Sequence, residues 1–283
     1  MTTATTTMGF IGAGNMAEAF IGAIIKSDIC KPSNIFISDI DPERVDIITN
    51  RYRVQSAADN FYLFSRSNFI VLAVKPQHLP EVLADIASRD DYRISAHKLI
   101  LSIAAGFPIR KIESVLYKPL DAMSRKQLPI IRVMPNIPAL ALAGMSGMSP
   151  NEHTTDNDLF LAKSVLNTIG KVIELKEDDL DAVTAVSGTG PAYVCYLMEA
   201  MIQAGIDLGL SAQDARRISL QTVKGTACLL QATNESPETL RQKVTSAKGT
   251  TEAAVKVLDH HEVKHRFIDA VKAAALRSRE LSE

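Results

Sequence analysis

Apolar runs of four to six residues alternate with amphipathic segments over residues 1–176. The run at 69–74 is continuously apolar, which is typical of a parallel strand that is buried on both faces, and the runs at 99–103 and 130–133 predict further buried strands. Between the first two of these runs, apolar residues recur at helical spacing from about residue 80 to residue 87. Strands that alternate with helices predict a doubly wound, mostly parallel α/β sheet, and ligands of such sheets bind beside the carboxyl ends of the strands.

Two further short strands are expected to complete the sheet. Residues 145–148 predict an antiparallel strand at its edge, and residues 171–174 predict the last strand. A predicted helix from 156 to 169, which Gly170 ends, separates them. The α/β domain is therefore expected to end at about residue 176.

The pattern changes at the polar segment 176–179, after which the strand signal disappears. Pro191 predicts the start of a long helix that runs to about Leu208 and is apolar on nearly every face. A helix of this kind must be buried on all sides, and a small helical domain could hardly bury it alone. We therefore predict an all-α dimerisation domain over residues 177–283 and a homodimer that is built through it.

A glycine turn follows the first predicted strand, Met8–Ile11. The sequence G-A-G-N-M-A begins at Gly12, and apolar residues at helical spacing follow from Asn15 onward. Strand, glycine turn and helix form the context in which G-x-G-x-x-G/A predicts dinucleotide binding. Gly12 would make the tight turn, Gly14 would let the backbone approach a pyrophosphate, and Ala17 would allow close packing of the helix. The free amides at the helix N-terminus would face the negative charge.

Asp39 follows the second predicted strand, Ile35–Ser38, and lies about 20 residues past the glycines. An acidic residue at this point can accept hydrogen bonds from the ribose hydroxyls and would repel a 2′-phosphate, which favours NAD over NADP. Arg44 could still reach such a phosphate. The alternative is that Asp39 only starts the turn at 41–42 and caps the next helix.

Lys75 and Pro76 end the apolar run at 69–74, on the expected cofactor side of the sheet. Residues 73–76 should therefore border the cofactor. Lys75 could act as a catalytic acid or contact a phosphate, or it could be a solvated lysine at a strand end. The sequence favours neither interpretation.

A second candidate site lies at residues 244–251, V-T-S-A-K-G-T-T, directly before a predicted helix. Small residues, a glycine and hydroxyl side chains present several backbone amides there. A carboxylate at such a helix N-terminus gains roughly 0.3–1 kcal/mol. An ordinary helix N-cap is the alternative, and spacing alone does not separate the two.

Composition and charge exclude several classes of partner. The 283 residues carry a formal net charge of −1, so neither a nucleic acid nor an acidic membrane is expected. No apolar run reaches the roughly 20 residues of a membrane span, and residues 1–7 have the composition of a frayed tail rather than of a signal peptide. Cys30, Cys195 and Cys228 are widely spaced in apolar surroundings, so we expect reduced core thiols in a cytoplasmic protein.

The sequence H-E-V-K-H at 261–265 has the spacing of a zinc-protease motif, provided that it lies on one helix. The internal lysine and the lack of an evident third ligand argue against zinc, and we expect no metal site. The alternative is a solvated helix start. Two other rivals are a dinucleotide sensor without catalysis and a 3-hydroxyacid dehydrogenase-like enzyme with Lys75 as general acid.

Five blocks of the chain resemble pyrroline-5-carboxylate reductase in order and spacing. They are GFIGAGNMA at 9–17, LAVKPQ at 72–77, RVMPNIPA at 132–139, AVSGTGPAYV at 185–194 and VTSAKGTTEAAV at 244–255. Members of this family are dimers or larger rings of dimers, with an N-terminal Rossmann domain and a helical C-terminal domain. The resemblance implies reduction of the cyclic imine 1-pyrroline-5-carboxylate to L-proline with NADP(H) or NAD(H).

The resemblance also implies which residues form each site. The implied cofactor residues are Gly12, Ala13, Gly14, Asn15, Met16, Ser38, Asp39, Asn60, Ala73, Val74, Lys75, Pro76 and Asn136. The implied substrate residues are Ser246, Ala247, Lys248, Gly249, Thr250 and Thr251. Ser246 and the loop amides would hold the substrate carboxylate. Thr251 would hydrogen-bond the ring nitrogen and position the ring about 3–3.5 Å from the hydride donor.

Three positions depart from the family pattern. The family usually reads S-P-G-G-x-T in the substrate loop, so Ala247 and Lys248 replace its proline and its first glycine. The backbone path must tolerate the loss of that glycine. Thr189 replaces a serine of the SGSGP block, and Asp39 stands where NADPH-using members often have small or basic residues.

Overall fold

An eight-stranded sheet is the framework of the first part of the chain. The structure, a computed structural model, describes residues 6–282. The strands are β1 Met8–Ile11, β2 Ile35–Ser38, β3 Gln55–Ser56, β4 Phe69–Leu72, β5 Leu99–Ser102, β6 Ile130–Met134, β7 Gly144–Pro150 and β8 Gly170–Glu174. Their order across the sheet is β3-β2-β1-β4-β5-β6-β7-β8. Every neighbouring pair is parallel except β6 and β7, which confirms the predicted doubly wound, mostly parallel α/β sheet.

Helices connect these strands. They are α1 Asn15–Lys26, α2 Pro42–Tyr52, α3 Asn60–Arg66, α4 Leu79–Ala87, α5 Ile109–Leu116, α6 Ala122–Lys126, α7 Asp156–Leu166 and α8 Leu180–Val183. Short 3₁₀ segments lie at Pro32–Asn34, Pro76–His78, Ile137–Ala141 and Glu177–Asp179, and a π-helical turn lies at Thr184–Gly188. Side-chain caps fix several of the starts, because Asp41, Asp59 and Thr155 accept backbone N–H groups of α2, α3 and α7.

The sheet separates two apolar cores, because successive side chains of a strand point to opposite faces. Phe10 and Val71 lie in one core with Phe20 of α1. Ile11, Ile70 and their neighbours lie in the other core, which α3, α4 and α5 cover. Helices on both faces explain why the central strands β1, β4 and β5 are buried at every position.

The predicted edge position of the strand at 145–148 is wrong, although its antiparallel pairing is confirmed. β8 pairs with the outer side of β7 in parallel, so β8 forms the edge. Two glycines permit this contact: a Cβ atom at Gly170 would lie 2.0 Å from the Gly144 oxygen. Gly170 also has a φ of +154°, so it begins the strand rather than only ending the helix before it.

The chain divides into two compact units. The first reaches Gly188 and also includes the chain from Ala274, whereas the second is Thr189–Ala273. The second unit is helical: α9 Gly190–Asp207, α10 Ala212–Thr233, α11 Pro237–Lys243, α12 Thr250–His260 and the first part of α13 Val263–Ser282. α9 packs against α10, where Gly205 lies against Ala215.

Within the single chain, the apolar helix of the second unit remains uncovered. No residue of α9 is buried, and Tyr196 and Leu197 are 78% and 57% exposed. Ile218 and Leu220 of α10 are exposed as well. A monomer would therefore leave the apolar faces of both helices in water, against the hydrophobic effect.

The three cysteines are all free thiols, but only one is a core residue. Burial raises the pKa of the Cys30 thiol to about 11. Cys195 and Cys228 are exposed in the single chain, so their prediction as core residues is wrong at this level. They lie on α9 and α10, whose apolar faces have no cover within this chain.

Three remaining predictions concern the chain ends, membranes and metals. The predicted frayed tail lies mostly outside the described residues, and Thr7 is held by Asn68. Across residues 6–282, no helix has the length and apolar character needed to cross a membrane. The zinc-protease motif does not lie on one helix, because α12 ends at His260, Glu262 has a φ of +53° and α13 begins at Val263. In the described part of the chain, no cluster of three or more His, Cys, Asp or Glu side chains could bind a metal.

Candidate active site

The glycine turn lies between β1 and α1, where the direction of the sheet connections reverses. β1 has β2 on one side and β4 on the other, so a crevice opens at its carboxyl end. Gly12 has a φ of +100°, and a Cβ atom there would lie 2.7 Å from the Ala73 backbone. Only glycine therefore lets this turn approach the chain after β4.

The N-terminus of α1 has the form of a cradle for an anion. Gly14 occupies the N-cap position, and no side chain in the described residues caps this helix. A Cβ atom at Gly14 would meet nothing within 4 Å, so open space lies beside the free amides of the first turn. Ala17 is buried and lets α1 lie close to the sheet. These features fit a dinucleotide pyrophosphate.

The carboxylate of Asp39 braces the glycine turn at the end of β2. Its Oδ2 accepts the Ala13 N–H at 2.6 Å, and its Oδ1 accepts the Asp41 N–H at 3.0 Å. Asp41, rather than Asp39, caps α2. The capping alternative for Asp39 is therefore wrong, although Asp39 does help to start the turn. Next to it, the Ser38 hydroxyl donates to Asn60 Oδ1 at 2.8 Å.

An ion-paired cluster lies between α1 and α2, beside the same turn. Arg44 Nε donates to the Ala13 carbonyl at 2.7 Å, and its guanidinium also binds Glu18. Arg51 lies 2.5 Å from the second Glu18 oxygen, and Tyr52 donates to that oxygen at 3.2 Å. Burial opposes ionisation of Glu18, but the bonds from Arg44, Arg51 and Tyr52 outweigh it and lower the carboxyl pKa. Sequence reasoning missed Glu18, because no local pattern indicates a contact between two helices.

The chain after β4 closes the other side of the turn. Ala73 N donates to the Ile11 carbonyl at 2.8 Å, and Val74 is half-buried beside it. Lys75 is exposed and precedes the 3₁₀ segment that Pro76 begins. The structure thus brings the predicted cofactor residues at 12–16, 38–39, 60 and 73–76 together around the ends of β1, β2 and β4.

Asn136 lies at the end of β6, and its side-chain amide forms hydrogen bonds with other residues of the protein. Nδ2 donates to the Ser187 hydroxyl at 3.0 Å and to the Ser187 carbonyl at 3.3 Å. Oδ1 accepts the Met145 N–H at 2.8 Å. These bonds tie the β6 end to the start of β7 and to the π-helical turn. A cofactor contact from Asn136 stays a prediction.

The predicted substrate loop forms one tight turn before α12, in the second unit. Gly249 N donates to the Ser246 carbonyl at 3.0 Å, and Gly249 is the N-cap residue. A Cβ atom at Gly249 would lie 2.5 Å from Ser246 Oγ. Lys248 has a φ of +59°, a left-handed conformation that favours glycine. Its N–H binds the Glu252 carboxylate.

α12 begins at Thr250, and among residues 6–282 no side chain caps it. The first-turn amides of this helix therefore form a second place where a carboxylate could bind. Glu252 lies close by, and its carboxyl pKa is lowered by Lys256, whose Nζ lies 2.7 Å from Glu252 Oε1, and by the Lys248 N–H. The backbone at Lys248 thus has a conformation typical of glycine, at the position where the resemblance implies a glycine.

Sheet order, glycine turn and strand-end carboxylate together define the class of NAD(P)-dependent oxidoreductases with a Rossmann domain. A family model described as "NADP oxidoreductase coenzyme F420-dependent" matches residues 7–106, and one described as "Pyrroline-5-carboxylate reductase dimerisation" matches residues 177–281. The chain belongs to the pyrroline-5-carboxylate reductase family, as the following relatives show.

Similarity to members of this family extends over the full chain. The pyrroline-5-carboxylate reductase of Synechocystis sp. is 38% identical over 98% of both chains. The structure of a pyrroline-5-carboxylate reductase from Coxiella burnetii is 35% identical, covers 99% of both chains and has a TM-score of 0.86. The Plasmodium falciparum pyrroline carboxylate reductase structure, which has NADP bound, is 29% identical over 99% of both chains, with a TM-score of 0.84. None of these relatives favours a hydroxyacid dehydrogenase or a sensor without catalysis.

Proposed function

We propose that this protein reduces 1-pyrroline-5-carboxylate to L-proline with NAD(P)H. The single observation that supports this function best is the full-length similarity to pyrroline-5-carboxylate reductases, with identity of 38% over 98% of both chains. The match includes the dinucleotide turn and also the helical region at 177–281. A dinucleotide-binding domain alone would fit many reactions, and the second region narrows the choice.

The residues around β1, β2 and β4 are proposed to bind the dinucleotide. The turn at 12–16 would hold the pyrophosphate on its amides, and Ser38, Asp39 and Asn60 would border the adenosine ribose. Residues 73–76 and Asn136 would follow the cofactor along the carboxyl ends of the strands. When bound, the reduced nicotinamide supplies the hydride.

The turn at 246–251 is proposed to bind the substrate. Its carboxylate would lie on Ser246 and on the amides that lead into α12, where the helix dipole favours negative charge by roughly 0.3–1 kcal/mol. Thr251 would hydrogen-bond the ring nitrogen and orient the imine. The imine nitrogen takes a proton from solvent water, since a hydroxyl side chain is too weak an acid to be its source, and the carbon of the protonated imine then accepts the hydride. The role of Thr251 is therefore positional.

A homodimer, or a ring of dimers, is proposed as the working assembly. The uncovered apolar faces of α9 and α10 support it, and so does the dimerisation model that matches 177–281. We also propose the functional division into a dinucleotide domain at 1–176 and a dimerisation and substrate domain at 177–283. The three free thiols support a cytoplasmic location.

The proposal is tested by mixing the purified protein with 1-pyrroline-5-carboxylate and following the oxidation of NADH and NADPH in separate reactions. Proline should appear in an amount equal to the cofactor oxidised. Each assay needs a control without imine, to measure background oxidation. Absence of imine-dependent oxidation with both cofactors would contradict the proposed function.

A further inference from the structure

We infer that this chain discriminates against NADPH and binds NADH preferentially, because the groups at the end of β2 accept ribose hydroxyls and repel a 2′-phosphate. The inference rests on the dinucleotide-binding part of the proposed function. Three features carry it: the carboxylate of Asp39, the capped start of α2 and the ion pairing of Arg44.

The hydrogen-bonding capacity of Asp39 suits two hydroxyl donors. An ionised carboxylate has about four acceptor positions, and the protein fills one on each oxygen, with Ala13 N–H at 2.6 Å and Asp41 N–H at 3.0 Å. The two remaining positions can accept the 2′- and 3′-hydroxyls of a ribose. A 2′-phosphate is mostly deprotonated at neutral pH, so it offers few protons to these acceptors, and its charge of about −1.5 to −2 repels the carboxylate.

The N-terminus of α2 cannot take over the phosphate. A free helix start would be a good anion site, but Asp41 already accepts Glu43 N–H at 3.0 Å and Arg44 N–H at 3.3 Å. Asp41 also adds a second negative charge next to Asp39. A 2′-phosphate would thus meet two carboxylates where a phosphate site needs free amides.

Arg44 is a nearby cation that could offset the charge of a 2′-phosphate, but its guanidinium already binds other groups of the protein. Its Nε donates to the Ala13 carbonyl at 2.7 Å, and its terminal nitrogen is paired with Glu18. Both side chains are mostly buried, with 22% and 16% exposed. Ionised Glu18 is shared between Arg44 and Arg51 and holds the Arg44 guanidinium against α1, so moving that guanidinium to a phosphate would break a partly buried ion pair.

Direct binding measurements test the preference on the unmodified protein. Nicotinamide fluorescence titrations with NADH and with NADPH, without imine, should give a Kd about tenfold or more lower for NADH. The ratio of the NADPH Kd to the NADH Kd should fall as salt is added, because ions screen the repulsion between the 2′-phosphate and the carboxylates. Equal Kd values, or tighter binding of NADPH, would overturn the inference. Because this step needs no imine, its failure is distinct from failure of the proposed reductase activity.

Two substitutions identify the groups responsible. Asp39→Asn keeps a carbonyl oxygen but removes the charge, and Glu18→Gln releases Arg44 from its counter-ion. Each should lower the ratio of the NADPH Kd to the NADH Kd by about threefold or more, mainly by tightening NADPH binding. Asp46→Asn is the matched control, because this exposed carboxylate lies further along α2, and its ratio should remain that of the unmodified protein. Unchanged ratios in both Asp39→Asn and Glu18→Gln, with folding verified by circular dichroism, would overturn the assignment.

Discussion

Gly12 and Gly14 serve the dinucleotide turn for different physical reasons. Gly12 combines a positive φ with a backbone contact that leaves no room for a Cβ atom, so the fold itself requires glycine at this position. Gly14 has an ordinary φ of −66° and open space around it, so glycine is required there only for the close approach of a ligand. Gly12 is therefore needed for folding, and Gly14 for binding.

Substituting each glycine by alanine should give opposite results. Gly12→Ala should lower the free energy of unfolding by about 2 kcal/mol or more, because both strain and a clash at 2.7 Å result. Gly14→Ala should cost at most about 1 kcal/mol but weaken NADH binding about tenfold or more. Denaturant unfolding and fluorescence titration measure the two quantities. Normal NADH binding by Gly14→Ala would place the pyrophosphate elsewhere.

Thr251 tests the proposed substrate turn at the level of one hydroxyl group. Thr251→Ala should lower kcat by at least about tenfold and leave the Kd of NADH nearly unchanged, because the hydroxyl is assigned to the imine. The control is Thr226→Ala, which removes an exposed hydroxyl that donates to the Thr222 carbonyl of its own helix. Steady-state kinetics with 1-pyrroline-5-carboxylate measures kcat, and an unchanged value would remove Thr251 from the reaction.

The sequence predicted these single-residue sites unevenly. The positions of Gly12, Gly14 and Asp39 follow from a motif with fixed spacing, and the structure brings them together. Glu18 could not be found in this way, because its partners lie on another helix. At Lys248, the resemblance implied the loss of a glycine, but the sequence did not reveal the left-handed backbone conformation that the structure has there.

Among the helices and strands, the end of α3 depends on one buried lysine that precedes β5. Lys98 Nζ donates to the carbonyls of Phe64, Ser65 and Ser67 at 2.9, 3.0 and 2.7 Å. These carbonyls belong to the end of a helix, where acceptors lack partners within the helix. Burial lowers the Lys98 pKa from 10.5 to about 8.

Lys98→Met should destabilise the fold by about 2 kcal/mol at pH 7, because three buried acceptors lose their donor. The difference should also depend on pH. Between about pH 8 and pH 10.5 the unfolded chain binds more protons at Lys98 than the folded protein does, so the stability of the unmodified protein rises with pH relative to the variant. Denaturant unfolding of both proteins at pH 7.5 and 9.5 measures this. If the difference in free energy of unfolding between the two proteins is the same at both pH values, the lowered Lys98 pKa is not its cause.

Elements were predictable from sequence where the apolar pattern is long or a motif marks the boundary. β4 was found because it is a continuous apolar run, and β5 and β6 were found because each has a single polar residue among apolar ones. β3 has only two residues, both exposed, so periodicity does not reveal it. The edge position of β8 depends on the meeting of Gly144 and Gly170, which are distant in sequence. The H-E-x-x-H spacing at 261–265 could not be interpreted from sequence, because the motif requires one continuous helix and the positive φ of Glu262 interrupts it.

For the whole molecule, the predicted dimer depends on the uncovered apolar surface of the second unit. Leu197→Glu places a charge on the exposed apolar face of α9 and should weaken the dimer by about 2 kcal/mol or more, roughly thirtyfold in Kd. Phe160→Glu is the matched control, because Phe160 is 72% exposed but lies on α7 of the first unit. Analytical ultracentrifugation measures both. A wild-type monomer, or dissociation by the control alone, would contradict the proposed assembly.

The sequence indicated this assembly because α9 is apolar on nearly every face, and a small helical domain could hardly bury such a helix alone. It did not indicate which residues form the contact, because every face of such a helix looks alike in the pattern. The size of the assembly beyond a dimer depends on surfaces that no periodicity marks.

The hydrogen bond from Ala13 to Asp39 has a thermodynamic consequence for the cofactor. At 2.6 Å it fixes the glycine turn to β2 before any ligand arrives, so the loop is already ordered. A preorganised loop loses little conformational entropy on binding, and more of the contact energy remains as affinity. Calorimetry should accordingly register nucleotide association without the large unfavourable entropy of a loop that folds around its ligand.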